Sequence, residues 1–277
     1  MRLIDHLKTL GHSNRKARNL LRSGKIWYQG VPTADAVREV DPAHIDVRHS
    51  APRIRTGLDP AVLFYDRHLA IVWKPPGLLS VAAPRRGKDD NLISLMARRF
   101  GRAYPVHRLD EPTSGTMMVA LTEPAQHALK EQLFHHDVDR RYLAIVAGIP
   151  REKTFTVSNH LLPDRGDGRR GSGNSQAPGA KSATTHFRLV KPLGTRCALV
   201  EARLETGRTH QVRIHLSEHR HPVLGDSRYA NAKLTRAAPR LALHAWRLAL
   251  RHPVTGKDLC IETPLPDDMA RLCRDLS

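Results

Sequence analysis

Cysteine is scarce, and what there is stands apart: Cys197, Cys260 and Cys273 form an odd set with no close pair and no CxxC spacing. This excludes a disulfide framework, gives a thiolate zinc site no support, and predicts a reducing compartment, the cytoplasm. Long apolar runs are missing too. Hydrophobic residues make up 40% of the chain, yet no run approaches the ~20 residues that cross a bilayer, so no membrane span is expected. The opening stretch MRLIDHLKTLGHSNRK mixes charge into its apolar positions and lacks the continuous apolar core of a secretory signal, so export by that route is not expected. No Walker lysine loop, GxGxxG turn, GxSxG elbow or HExxH pair occurs, which leaves nucleoside triphosphate, dinucleotide, serine-hydrolase and zinc-protease chemistry without an anchor.

Acid is the other shortage. Asp and Glu total 27 against 45 Lys and Arg, a net charge of +18. That is more than solubility needs and creates a surface potential that collects polyanions, so nucleic acid is the leading partner. Membrane-surface binding would want a basic amphipathic helix backed by bulky aromatics, and none is clearly drawn. A chain of 277 residues accommodates a catalytic domain of roughly 200 residues and a small appended one.

Residues 1–50 form the candidate small domain. Leu3, Leu7 and Leu10 recur at helical spacing, and Ser13 caps a second, basic stretch over residues 15–22 that ends near Gly24. Ile26-Trp27-Tyr28, Gln29-Gly30 and Val31 then read as strand, tight turn and strand. Arg15, Lys16, Arg18 and Arg22 put enough positive charge on one short helix to grip a phosphate backbone. This helix-helix-hairpin pattern resembles a small RNA-binding domain shared by a ribosomal small-subunit protein and several RNA-modifying enzymes. A connector with Pro52, Gly57 and Pro60 follows, and the larger domain, residues 59–277, opens with apolar strands over 62–65 and 69–73. Residues 163–180 are rich in Gly, Asp, Arg, Ser and Asn and predict a mobile, basic surface loop. Elsewhere short strands such as 198–204 alternate with helices such as 124–134, and no repeat or heptad is evident.

The sharpest segment is Val106-His107-Arg108-Leu109-Asp110-Glu111-Pro112-Thr113-Ser114-Gly115, a charged loop leading into an apolar strand over 116–121. By itself it also fits an ordinary turn with a surface Arg–Asp pair. The string matches at every specified position the HRLDxxTSG signature of the RluA-type pseudouridine synthase family, which the chain therefore resembles. Three further segments extend the resemblance over residues 60–250: Lys74-Pro75-Pro76-Gly77-Leu78, Arg141-Tyr142-Leu143-Ala144, and the run from Glu205 through Gly207-Arg208-Thr209-His210-Gln211-Val212-Arg213 to His215, continued by His221-Pro222-Val223-Leu224-Gly225-Asp226.

The resemblance implies an α+β fold with a central, mostly antiparallel mixed sheet and flanking helices, no cofactor and no metal, and structured RNA, ribosomal or transfer, as partner. It implies isomerisation of uridine: the bond from the sugar to nitrogen 1 breaks, the base turns while held, and carbon 5 joins the same sugar carbon. Asp110 is the implied catalytic aspartate; whether it attacks the sugar, adds to the base or takes a ribose proton stays open. A carboxylate ionised in a desolvated pocket needs a cation, and the resemblance puts Arg213 there, so an Asp110–Arg213 pair is expected. Tyr142 is implied to stack on the base, with a core aromatic as its other reading. Arg108, two residues from Asp110, is implied to fill the space of the extruded nucleotide. Arg208 and His210 are expected to contact phosphate or brace their loop. His107 stands with them on the substrate side, a hydrogen-bonded structural histidine being its other reading. His215, His219 and His221 look like a ligand set at first sight, but no acidic ligand accompanies them and metal binding is not expected.

The chain departs from the pattern at Leu78-Leu79-Ser80-Val81-Ala82-Ala83-Pro84, where many relatives carry a histidine, and the charged stretch 85–90 that follows predicts altered substrate contacts. A non-catalytic RNA-binding or chaperone protein is the rival reading, and a metal-dependent RNA hydrolase a third. Asp110, Tyr142 and Arg213 together favour the enzyme, expected to act as a monomer.

Overall fold

The computed structural model describes the chain except residues 23–24, 29–30, 34–35, 48–59, 83–90, 165 and 167. The expected helix end near Gly24, the Gln29-Gly30 turn, the connector at Pro52 and Gly57, the boundaries at residues 50 and 59, and the charged stretch 85–90 lie outside the described residues.

The chain begins with α1 (Leu3–Thr9) and α2 (Asn14–Arg22), followed by β1 (Ile26–Tyr28) and β2 (Val31–Pro32). Ser13 caps α2 by accepting the Lys16 N–H at 3.2 Å. Ala17, Leu20 and Leu21 of α2, spaced three and four apart, pack on Leu3, Ile4 and Leu7 of α1. That leaves Arg15, Lys16 and Arg18 exposed on the opposite side. The expected hairpin gains a third member: β3 (Ile45–Val47) pairs antiparallel with β1 to give the order β2-β1-β3. At three residues β3 is too short for a readable alternation.

The large sheet is built from β4 (Ala61–Tyr65), β5 (Leu69–Lys74), β6 (Tyr104–Pro105), β7 (Ser114–Ala120), β8 (Asp139–Ala147), β9 (Thr154–Leu161), β10 (Lys181–Leu193), β11 (Cys197–Leu204), β12 (Leu243–Arg251) and β13 (Asp258–Glu262). Its order is β4-β5-β7-β12-β8-β11-β10-β9, with β13 on β12 and β6 on β7. The helices are α3 (Leu92–Phe100), α4 (Glu123–Phe134), α5 (Gln211–Glu218), α6 (Ala232–Thr235) and α7 (Asp267–Leu276). The architecture is α+β, and the pairings are antiparallel apart from β7 with β12, which run parallel among the described residues.

Strand β7 is buried at every position because both of its faces are covered. On one face Met118 and Ala120 meet Ala125 and Leu129 of α4; on the other Met117 and Val119 join the main core with Met96 of α3, Val212 and Leu216 of α5 and Met269 of α7. Gly115 makes the parallel junction possible. Its φ of 128° suits glycine, and a methyl group there would overlap the backbone of Ala245 on β12. Next to it the Ser114 hydroxyl meets His244 Nδ1 at 2.9 Å, and His244 Nε2 meets Thr263 Oγ1 at 3.1 Å.

Residues 163–180 do not behave as a free surface loop. Leu162 N–H donates to Gly171 O and Gly173 N–H to His160 O, both at 2.9 Å, so the segment folds back along β9. Its backbone then reaches acceptors elsewhere: Arg170 N–H donates to the Tyr229 hydroxyl at 3.1 Å and Ser172 N–H to Glu218 Oε1 at 2.9 Å. A polar, glycine-rich composition cannot make an apolar core, but it can dock through backbone hydrogen bonds, which composition does not reveal. The N-terminal residues reach the start of α7, where Asp267 accepts from Thr33 Oγ1 at 2.6 Å and pairs with Arg38.

Two core histidines contribute to the acid response. Burial pushes His215 down to about 4 and His244 to about 3, from an ordinary 6.5. The unfolded chain takes up these protons near pH 6.5 while the native state refuses them until pH 3–4, so stability is fully present above pH 6.5 and is lost as pH falls. Chemical denaturation between pH 7.5 and 4.5 is expected to show unfolding free energy falling by up to about 3 kcal/mol per pH unit from these two groups. A flat profile would refute this account of the core.

Candidate active site

The Asp110 loop is held from below by the turn that follows β5. Lys74 is fully buried, and its ammonium donates to the carbonyls of Pro75 at 2.9 Å, Leu78 at 2.8 Å and Glu111 at 3.1 Å. Burial pulls its pKa down to about 7, with Asp110 opposing; three carbonyl acceptors match the three N–H bonds that only the ammonium form has. Gly77 N–H also donates to Glu111 O, at 2.8 Å. Ser80, in the segment where the chain departs from its family pattern, grips the residue before the aspartate: its hydroxyl donates to Leu109 O at 2.7 Å and accepts from Leu109 N–H at 3.0 Å. Asp110 is thereby presented on a stiff platform.

From above comes α5. His210 precedes it in a left-handed conformation, φ 61° and ψ 13°, which turns the chain sharply into the helix. The Gln211 side chain anchors that corner by using its whole amide. Its Oε1 accepts from Thr206 Oγ1 (2.8 Å) and Arg208 N–H (2.9 Å), and its Nε2 donates to Thr184 O (3.0 Å) and Thr185 Oγ1 (2.9 Å). The first turn of α5 then projects Arg213 toward the loop.

The expected pair forms. Arg213 Nη1 donates to Asp110 Oδ2 at 2.9 Å. The other edge of the guanidinium is taken by Asp226, which accepts from Nε at 2.7 Å and Nη2 at 2.8 Å. Asp226 is buried; burial raises its pKa, but Arg213 and the N–H groups of Arg228 and Tyr229 outweigh that and leave it lowered. Tyr229 lies under the guanidinium with its ring centre 5.1 Å away, and its hydroxyl meets His210 Nδ1 at 2.8 Å.

These groups border a cleft of about 50 Å³ lined by Arg108, Asp110, Thr113, Tyr142, Arg208, His210 and Arg213. The Tyr142 phenol is pushed up to about 12, chiefly by burial, so it is protonated at neutral pH. His210 Nε2 is 3.9 Å from Asp110, but burial lowers its pKa to about 4. At neutral pH that contact is therefore not an ion pair, and Arg213 supplies the hydrogen-bonded positive charge on Asp110. Arg108 is exposed at the rim, and Arg208 is tied back by its Nε to Ser182 O at 2.9 Å.

Of the residues singled out by sequence, His107 alone is not in this cleft. Its Nε2 accepts the Met118 N–H at 3.1 Å, and burial pushes its pKa down to about 3. It ties the loop to β7. His215 bonds Thr185 and Asn159, His219 stacks on Phe155 at 4.5 Å, and His221 Nδ1 meets Ala147 O at 3.0 Å, so each is spent on a different partner. Among the described residues no group of three His, Cys, Asp or Glu side chains gathers into a ligand set. Sequence reading gave no role to Asp226, Gln211, Ser80 and Tyr229; the first three stood inside quoted segments, and only Tyr229 lay outside them.

Comparison with known proteins fits this geometry. A family model described as RNA pseudouridylate synthase matches residues 68–218, spanning β5 to α5. The chain belongs to the RluA-type RNA pseudouridylate synthase family. A ribosomal large subunit pseudouridine synthase D of Zymomonas mobilis is 33% identical over 95% of this chain and 89% of its own length. The dual-specificity RNA pseudouridine synthase RluA of Salmonella typhi is 35% identical over 73% of this chain and 92% of its own length. In structure, human RNA pseudouridylate synthase domain containing 4 superposes with a TM-score of 0.63 at 24% identity, covering 78% of this chain and 92% of that one, which supports the fold. As a pseudouridine synthase, the chain is an isomerase of uridine in structured RNA.

Two substitutions separate the site's scaffold from its chemistry. Asp226→Asn leaves Arg213 buried with one edge short of a counter-charge and is expected to lower unfolding free energy by about 3–5 kcal/mol. Lys74→Met strands three carbonyls and is expected to cost about 3 kcal/mol. Urea denaturation checks both, and a loss below about 1 kcal/mol in either would contradict the bonding described.

Proposed function

We propose that this pseudouridine synthase modifies a uridine of large-subunit ribosomal RNA, with Asp110 as the catalytic carboxylate. The observation that carries the catalytic assignment is the shared guanidinium: Arg213 holds Asp110 at 2.9 Å while Asp226 neutralises its other edge. Asp110 therefore faces the cleft beside a fixed positive charge without being locked in a two-point pair of its own. Its free oxygen is left to act at the sugar or the base.

Tyr142 offers a protonated phenol and a flat face on which the uracil stacks, and holds the base while it turns. Arg108 enters the gap that the extruded nucleotide leaves. Arg208 and His210 border the cleft where the backbone of the bent RNA passes. The enclosed space is small, so the base enters as the rim arginines give way. Residues 1–50 act as a small RNA-binding domain through Arg15, Lys16 and Arg18, and residues 59–277 as the catalytic domain. The protein acts as a cytoplasmic monomer, with no metal or cofactor.

Support for the ribosomal target comes from the extent of likeness. The Zymomonas enzyme aligns with nearly the whole chain, small domain included, whereas the dual-specificity relative aligns with 73% of it. The test is a map of pseudouridine in total RNA from cells with the gene intact, deleted, or replaced by Asp110→Asn. Loss of one or a few large-subunit sites on deletion, unrepaired by the asparagine variant, is the expected result. Loss in transfer RNA alone would overturn the target, and full repair by the variant would overturn the role of Asp110.

A further inference from the structure

Arg140 stands out from the other arginines near the cleft. It lies on β8 two residues before Tyr142, and the burial alternation of that strand puts both side chains on the same face. Its cross-strand neighbour is Leu204, which lines the cleft together with Tyr142 and Arg208. Arg140 is 8% exposed, yet no carboxylate pairs with it among the described residues. One weak bond holds it, from Nη2 to Glu205 O at 3.3 Å, and its inaccessible Nε–H has no partner.

The neighbours on the same strand and in the same cleft behave differently. Arg141 pairs with Asp139 and Glu201, and Arg213 with Asp110 and Asp226. The loop above Arg140 is shaped to accept its guanidinium: Gly207 passes so close that a Cβ there would press on Nη1. Burial disfavours its charge, with Tyr142 opposing and Arg208 adding to the effect. A guanidinium that is buried, short of an acceptor and set against the Gly207-Arg208 loop is a site that lacks its anion.

We propose that Arg140, with Arg208 beside it, forms a phosphate subsite of the cleft that receives a phosphodiester flanking the extruded uridine. A phosphate group meets the requirements of the site: it carries the missing negative charge, and its several oxygens can accept from more than one guanidinium N–H at once. The subsite would fix the sugar-phosphate backbone next to Tyr142 and so set how far the base enters. This rests on the RNA-isomerase reading of the cleft.

Binding is tested without turnover. In the intact protein the Nε–H of Arg140 is read by nitrogen-15 NMR, assigned by its disappearance in Arg140→Lys, and titrated with uridine 5′-monophosphate, uridine or inorganic phosphate. A shift with uridine 5′-monophosphate and with phosphate but not with uridine is expected, in Asp110→Asn as in the parent. No shift, an equal shift with uridine, or a shift with inorganic phosphate alone overturns the subsite. In turnover, on a transcript carrying the uridine mapped above, Arg140→Met is expected to raise KM at least about tenfold with kcat within about threefold, and Arg140→Lys to recover part of the loss. A fall in kcat at unchanged KM would make Arg140 a brace for the 205–207 loop instead. If the parent protein makes no pseudouridine while the NMR shift persists, the ribosomal reading fails and the subsite stands.

Discussion

One buried guanidinium carries the site. Arg213 joins a carboxylate at the cleft to a carboxylate in the core, and its charge balances neither alone. Asp226 takes two of its donors and Asp110 one, so the bond to the core is the firmer of the two. A cation held in this way is oriented by Asp226 and presents a single N–H to Asp110, which leaves the second oxygen of the aspartate outside the pair. Tyr229 beneath the guanidinium and Gln211 two residues earlier in the helix remove the remaining freedom.

The opposite side is fixed by a different device. Lys74 and Ser80 use a buried ammonium and a buried hydroxyl to hold the backbone on either side of Asp110 rather than its side chain. The aspartate thus inherits its position from main-chain carbonyls, whereas the arginine inherits its own from side chains on other elements. The catalytic geometry is a meeting of two separately braced parts, and Tyr142 enters from a third, the central strand β8.

Much of this could be read from the chain before its structure was known, for reasons that differ from part to part. The strands β5 and β7 announced themselves as continuous apolar runs because both of their faces are covered. The Asp110–Arg213 pair followed from the need of a desolvated carboxylate for a cation, joined to a family pattern. Asp226 did not follow: nothing in spacing says that a residue 13 positions beyond Arg213 returns to its other edge across a turn. Gln211 and Ser80 were opaque for a related reason, since their value lies in which backbone groups they reach. The 163–180 segment misled because composition reports on apolar packing and is silent about backbone bonds to Tyr229 and Glu218. His107 was drawn to the cleft by its place in the signature, while its ring bonds to the Met118 amide.

The parallel seam between β7 and β12 joins parts of the chain far apart in sequence. Ser114 meets His244 across 130 residues and Asp110 meets Arg213 across 103. A ribosome synthesising this protein therefore releases the aspartate loop long before its partners exist. Until β12 has emerged, that edge of β7 has no strand to pair with, although every residue of the strand is buried in the finished fold. The Asp110–Arg213 pair therefore cannot form before the chain has been made as far as Arg213, and the seam beneath it cannot close before β12 exists.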